Sequence, residues 1–335
     1  MIISKTPYRI SFFGGGSDYP DWYLQNGGRV IASTINKYIY ISCRNLPQYF
    51  KHKHRICYSK IELVKDEKKI KHVVIKSIFE KFKKQINNEG LEIHYDGDFP
   101  SRSGTGSSSA FVVGLINTVS NYYNKKLSKK ELANQSLYLE QKILRETVGS
   151  QDQIATTYGG FNEIIFKKNG QYEVNPLITN KDTLKILENN MILVFTGVRG
   201  KSKTANNIAK TYVSKLDRKK KNNILQIINH AKIAKKLLIQ KNFEDFGYLL
   251  NETWKFKRDL SSSVTNSKLD YIYDLGIKSG ALGGKLLGAG GAGFFLFYVP
   301  EHKRENFINI FKKFTCIPFK FDQEGSSIIF NEKKD

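Results

Sequence analysis

Cysteine is scarce in this chain. Its 335 residues include three, Cys43, Cys57 and Cys316, far apart and with no Cys-x-x-Cys pair. That spacing excludes a disulfide framework and a zinc knuckle. The run "HKHRIC" sets His52 and His54 near Cys57, but no fourth ligand stands beside them, and it reads as a polar turn between strands. Long apolar runs are also missing. The longest, Ala110–Ile116 and Phe294–Val299, fall far short of the ~20 residues a membrane span needs, so no membrane partner is expected. The opening "MIISKTPYRI" has no basic stretch, long apolar core and small-residue cleavage site of the secretory kind, which makes a cytoplasmic location the expectation. Acidic residues are outnumbered, 31 against 54 Lys and Arg, for a net charge of +23. One reading of that charge is a nucleic-acid partner; another is an anionic small substrate. The lysines lie scattered, as in "KDEKKIKH", "EKFKKQ" and "KLDRKKKNN", without interleaved aromatics. They read as solvated faces, and no nucleic-acid partner is expected.

What is present is a globular composition, 40% hydrophobic and 25% charged, in a chain long enough for roughly two domains. Tyr8, Ile10 and Phe12 alternate with Arg9 and Ser11, the period of a strand with one buried face. "GGGSDYPDW" follows as a glycine-rich turn, and "RVIAST" and "YIYISC" return to strand. Val73–Phe82 has helical spacing, and "LEIHYDGDFP" is a strand ending in a turn. Ala110–Tyr123 reads as a buried helix. Ser128 opens another with a capping box to Glu131. "TYGGFNEIIF" and "MILVFTG" are strands, with a weak stretch around residues 175–185 between them. Ile224, Ile227, Ile228, Ala231, Ala234 and Leu238 mark a long amphipathic helix, and "KLLGAGGAGFFLFYV" is a glycine loop entering a strand. Helices and strands mix without βαβ alternation, so the expected class is α+β.

The segment "PSRSGTGSSSAFVVG" sets a Ser/Gly loop, Gly104, Thr105, Gly106, Ser107, Ser108 and Ser109, against the buried helix. The first turn of a helix leaves N–H groups unpaired at the positive end of its dipole, and glycines let that backbone approach an anion. The form suits a phosphate; an ordinary serine cap is the alternative. Two familiar nucleotide motifs fail. "GVRGKSK" contains Gly-Lys-Ser, but the P-loop glycine would fall at Phe195. Gly288-x-Gly290-x-x-Gly293 leads into a strand, where a dinucleotide fingerprint needs a helix. Glu140 falls in the middle of an apolar face formed by Leu132, Ala133, Leu137, Ile143 and Leu144. A carboxylate there must be paired, with a divalent cation or with a neighbouring Arg or Lys. Asp152 follows that helix and reads as a helix cap or a site residue. Arg9 and Asp18 flank the first glycine turn and read as surface or site charges.

Three motifs in order, "PYRISFFGGGSDY", "PSRSGTGSSSA" and "KLLGAGGAGF", resemble the GHMP kinase superfamily, which includes galactokinases, homoserine kinases and mevalonate kinases. Longer stretches, "GGRVIASTINKYIYI", "VGSQDQIATTYGGFN" and "GALGGKLLGAGGAGFFLF", are similar to the branch acting on the anomeric oxygen of a heptose 7-phosphate. Thr105, Ser109 and Ala292 depart from the usual Leu, Ala and Gly. The resemblance implies a two-domain α+β fold: a nucleotide-binding unit over residues 1–175 and a ferredoxin-like unit over 186–335. It implies ATP and Mg²⁺ as cofactors. The Gly104–Ser109 loop would wrap the ATP phosphates, and Ser108 and Glu140 would hold the metal. Asp152 would act as base or orienter at the acceptor hydroxyl, with Arg9 facing the same point. Asp18, Gly15, Gly16, Gly290 and Gly291 would line the acceptor's side. Arg29, Lys37 and Arg199 are candidates for the sugar phosphate. A kinase of fucose or galactose type is the neighbouring possibility.

Overall fold

The computed structural model describes residues 1–87, 89–200, 204–213 and 216–332. Lys201, Ser202 and Lys203 of the Gly-Lys-Ser match lie outside them. Among the described residues the strands form two sheets, one of nine strands and one of four. Strand Ile2–Phe13 runs antiparallel to the long strand Gly28–Asn45. That long strand also pairs with Leu91–Gly97, Phe161–Phe166 and Phe321–Asp322. The last described strand, Ser327–Asn331, pairs with Ile2–Phe13, so the end of the chain returns to the sheet that its beginning built. His54–Cys57 is a strand of this sheet, and only His52 and Lys53 of "HKHRIC" lie in the bend before it.

The opening strand departs from one-sided burial. Arg9 and Ser11 are as buried as Tyr8, Ile10 and Phe12, because the helices Ser107–Tyr122, Gln151–Tyr158, Arg218–Ile239 and Phe243–Arg258 all pack on it. The glycine turn after it is short. Pro20 starts the helix Pro20–Asn26, a position where its fixed φ and missing N–H suit the first turn.

Helix Ser107–Tyr122 is buried on nearly every side. Gly114 lets it approach the sheet: a Cβ there would stand 2.9 Å from Thr6 Oγ1 and 3.2 Å from Ile41 Cδ1. The capping box at Ser128 and Glu131 is formed and starts helix Lys129–Tyr138. The expected continuation through Leu144 is corrected. A π-turn over Leu139–Ile143 follows, and its extra residue rotates the face. Ile143 comes out exposed and Leu144 half-buried, while Leu139 and Glu140 turn inward. Near Asn175 the chain continues as strand Tyr172–Ile178, paired with Phe161–Phe166, and then forms helix Lys181–Asn189.

The second sheet orders Thr315–Ile317, Met191–Gly197, Gly293–Tyr298 and Gly283–Leu286, all antiparallel. Its core packs Trp254, Phe295 and Phe297 with Phe307 and Phe311. Helices Phe243–Arg258 and Ser267–Lys278 begin at Asn242 and Asn266, each accepting the expected cap hydrogen bond. Those two asparagines are the sequence signal for helices that periodicity alone leaves unassigned.

Glu163, on strand Phe161–Phe166, is fully buried and receives Arg29 from the neighbouring strand and Lys235, at 2.9 Å, from helix Arg218–Ile239. This triad ties the first sheet to that helix. Both cations reach partial solvent and can rehydrate when released. Glu163→Ala is therefore expected to destabilise the fold by about 2 kcal/mol, less than the loss of a wholly buried pair, as read by urea unfolding.

Candidate active site

A cavity of about 330 Å³ opens between the two sheets, lined by Arg9, Gly15, Gly16, Asp18, Gly104, Gly106, Ser107, Ser108 and Asp152 from one half and by Arg199, Lys257, Lys285 and Gly288 from the other. Its floor is the mouth of the helix Ser107–Tyr122. Gly106 precedes that helix in left-handed backbone, φ 74°, and no side chain caps it. The amides of the first turn thus have no partner within the helix. A Cβ on Gly106 would lie 3.2 Å from Arg9 Cγ and 3.3 Å from Asp152 Oδ2, so glycine is what lets the loop touch both charged groups. Thr105 is buried; its carbonyl accepts the Arg9 backbone N–H at 3.1 Å, and its hydroxyl pairs with Ser103 at 3.1 Å. These contacts pin the loop to the opening strand.

The third glycine loop backs the first. A Cβ on Gly288 would lie 2.7 Å from Gly104 Cα, and the Phe294 N–H donates to the Ser103 carbonyl at 3.2 Å. Gly288 and Ala289 line the cavity. Gly290 and Gly291 do not: they turn toward Val264 and Ile208, whose atoms a Cβ would meet at 2.7 and 2.9 Å.

Arg9 is buried and grips both carboxylate oxygens of Asp152, each at 2.7 Å, while a third N–H donates to the Gly104 carbonyl at 2.8 Å. Neither residue is a surface charge, and Asp152 does not cap its helix, whose N-cap is Ser150. Asp18 is also buried. One of its oxygens accepts the Gly16 N–H and the other the Gln151 amide, both at 2.9 Å. Burial, with the Asp152 charge nearby, pushes its carboxyl up to about 6.

Among the described residues no cation stands beside Glu140. It is fully buried, and its partners are the hydroxyls of Ser108 at 3.3 Å and Ser109 at 3.2 Å and the amide of Gln153. Of the two pairings the sequence left open, no internal salt bridge forms among the described residues. Burial pushes this carboxyl up to about 8. Ser108 lies between Glu140 and the cavity, touching both. Among the described residues no three His, Cys, Asp or Glu side chains converge as a metal cage. One carboxylate and one hydroxyl fit a cation that takes its remaining oxygens from phosphates and water.

Of the three candidates for a sugar phosphate, Arg199 reaches the cavity. Arg29 is engaged by Glu163, and Lys37 stands elsewhere on the long strand, outside the lining. The sequence reading missed Gln151 and the buried lysines Lys257 and Lys285. A signal for Lys257 exists: it follows Gly247, Leu250 and Trp254 along the buried face of its helix, where a cation needs a reason.

Residues 72–160 match the GHMP kinases N terminal domain and residues 234–315 the GHMP kinases C terminal domain. The chain is 31% identical to the D-glycero-alpha-D-manno-heptose 7-phosphate kinase of Campylobacter jejuni, over 97% of either chain. It is 31% identical to the mevalonate kinase of Methanocaldococcus jannaschii over 67% of its own length and 66% of the relative's. Its fold matches the crystal structure of a D-glycero-D-manno-heptose 1-phosphate kinase from Bacteriodes thetaiotaomicron with a TM-score of 0.79, at 24% identity, covering 99% of this chain and 100% of the other.

The buried carboxyl makes a stability prediction. Glu140 titrates near 4.5 when unfolded and about 8 when folded. Between those values the folded form keeps a proton that the unfolded chain has lost, so this group's contribution to stability falls as pH rises and levels off above 8. Glu140→Gln keeps a neutral group of the same shape, and Gln153, whose Oε1 has no partner, can flip its amide to suit it. Thermal melts of the ligand-free protein from pH 5 to 9 are expected to show a flatter profile for the variant, with a melting temperature at pH 8.5 at or above that of the parent.

Proposed function

Because this chain belongs to the GHMP kinases, phosphotransferases that use ATP and a hydroxyl acceptor, we propose that it phosphorylates the anomeric O1 of D-glycero-D-manno-heptose 7-phosphate. The product is the 1,7-bisphosphate, a precursor of nucleotide-activated heptose made in the cytoplasm. Residues 1–175 carry the nucleotide and the unit that begins at residue 186 closes over the acceptor, although its last strands, Phe321–Asp322 and Ser327–Asn331, pair back into the first sheet. The observation that carries this reading is the bidentate Arg9–Asp152 pair lying directly against Gly106, where phosphate loop and acceptor wall meet.

The triphosphate rests on the Gly104–Ser109 loop, where the amides at the start of helix Ser107–Tyr122 donate to its oxygens without prior rearrangement. Ser108 and Glu140 would hold Mg²⁺, which would supply charge neutralisation to the phosphates, with Glu140 its carboxylate ligand in the ionised form. Asp152 has both oxygens engaged by Arg9 but keeps free lone pairs. It accepts the hydrogen bond of the O1 hydroxyl, aligns that oxygen and collects its proton as O1 bonds to the γ-phosphorus and the bond from that phosphorus to the bridging oxygen of ADP breaks. A loose transition state asks little more of a base. Arg9 stabilises charge on the phosphoryl group in transit. Asp18 accepts hydrogen bonds from sugar hydroxyls beside Gly15 and Gly16.

Two observations favour an acceptor that already carries phosphate. The carboxylates in the cavity lining, Asp18, Glu146 and Asp152, all come from the first half of the chain; the second half contributes no acid and presents Arg199, while its lysines Lys257 and Lys285 are turned to backbone carbonyls. That wall suits an anion, with Arg199 the residue that meets it. A relative matched over nearly the whole chain at 31% identity is named a heptose 7-phosphate kinase.

The deciding experiment is ³¹P and ¹³C NMR of the product after incubation with MgATP and a panel of sugars and sugar phosphates. The expected outcome is a phosphate on C1 of heptose 7-phosphate; preference for unphosphorylated fucose or galactose would replace this substrate with another. Asp152→Asn is expected to keep ADP binding within a few-fold while kcat drops roughly 10²–10⁴-fold, and unchanged turnover would remove Asp152 from its role.

A further inference from the structure

Two lysines lie buried in the cavity wall, and the mechanism above gives neither a role. Lys257, at the end of helix Phe243–Arg258, donates to the carbonyls of Leu286 and Gly288, both at 2.6 Å. Lys285, on strand Gly283–Leu286, donates to the Phe12 carbonyl at 2.8 Å. Lysines are rarely buried without a paired acid, and no carboxylate stands within ion-pair distance of either among the described salt bridges. Burial and the nearby Arg9 push Lys285 down to about 7; burial and the neighbouring cations push Lys257 down as well. Such a placement needs a compensating use.

The accepting carbonyls supply one, because secondary structure leaves them out. The pairing of strand Ile2–Phe13 with Gly28–Asn45 slips between Ser11 and Phe13, so Phe12 has no ladder partner. Gly283–Leu286 is the edge of its sheet, and Gly288 lies in the loop beyond it. A buried carbonyl without a donor is costly, and an ammonium brings three hydrogens. Each lysine therefore ties down one glycine loop. Lys257 holds Gly288, which lies against Gly104, and so bears on the phosphate loop. Lys285 holds Phe12, just before Gly14–Gly16 and Asp18, and so bears on the acceptor's side.

We infer that Lys257 and Lys285 are positioning residues with divided labour, Lys257 setting the phosphate loop for the nucleotide and Lys285 setting the first glycine loop for the acceptor. The assignment rests on the kinase reading above, and its nucleotide arm does not depend on which sugar is used.

The test compares Lys257→Met, Lys257→Gln, Lys285→Met and Lys285→Gln. ADP affinity is measured by calorimetry without acceptor, and the acceptor KM at saturating MgATP with heptose 7-phosphate or whichever sugar the wild-type protein turns over. Loss of one such tether is expected to weaken the matching ligand about tenfold. Lys257→Met should weaken ADP and leave the acceptor KM within about twofold, and Lys285→Met should do the reverse. The Gln variants keep N–H donors without charge and should recover most of each loss. Equal weakening of both ligands by either Met variant, or unchanged ADP affinity in Lys257→Met, overturns the inference. So does a Gln variant as impaired as its Met counterpart, which would make charge alone the cause. If a Met variant fails to fold by thermal melt, the residual loss of its Gln variant decides: loss confined to the matching ligand sustains the division, and loss shared by both ligands or confined to the other one ends it. Failure of wild-type protein to use heptose 7-phosphate would strike the proposed substrate and leave the ADP arm standing.

Discussion

A helix that begins at a left-handed glycine with no side-chain cap keeps its first amides for something outside the chain. Helix Ser107–Tyr122 is built that way, and much of the rest of the fold exists to hold its mouth in place. The long sheet presses on its flanks, the third glycine loop backs Gly104, and Arg9 reaches around to hold the Gly104 carbonyl while gripping Asp152. Phosphoryl transfer asks for positioning and charge neutralisation more than covalent chemistry, and an over-determined loop of amides supplies both before the nucleotide arrives.

The site concentrates charges that water would otherwise hold. Glu140, Asp18, Lys257 and Lys285 are all buried, each pushed toward its neutral form. Arg9 and Asp152 pair with each other. Among the described residues no cation stands within ion-pair distance of Glu140 and no acid within that distance of Lys257 or Lys285, on which Asp18 acts from farther off.

How much of this the sequence revealed depended on how local each signal was. The Ser/Gly loop, the buried helix after it and the Ser128 capping box are written in consecutive residues, and the structure contains all three. The position of Glu140 on an apolar face was legible by helical spacing, and it is buried, although through a π-turn that no periodicity indicates and that puts Ile143 outside. Arg9 meeting Asp152, 143 residues away, followed from the family resemblance and not from spacing. Lys257 and Lys285 were lost among 54 basic residues, because a lysine's environment is set by strands and loops far from it in the chain. Gly290 and Gly291 were placed at the acceptor on motif grounds, whereas the loop's twist turns them onto Val264 and Ile208.

The central claim is that the uncapped helix mouth grips the triphosphate beside a metal held by Ser108 and Glu140. A crystal structure with a non-hydrolysable ATP analogue and magnesium tests it most directly. The account predicts β- and γ-phosphate oxygens within hydrogen-bond distance of the amides of residues 106–109, and one cation on Ser108 Oγ and Glu140. A triphosphate bound elsewhere in the cavity, or Glu140 still closed against Ser109 and Gln153 with no metal beside it, would contradict the account.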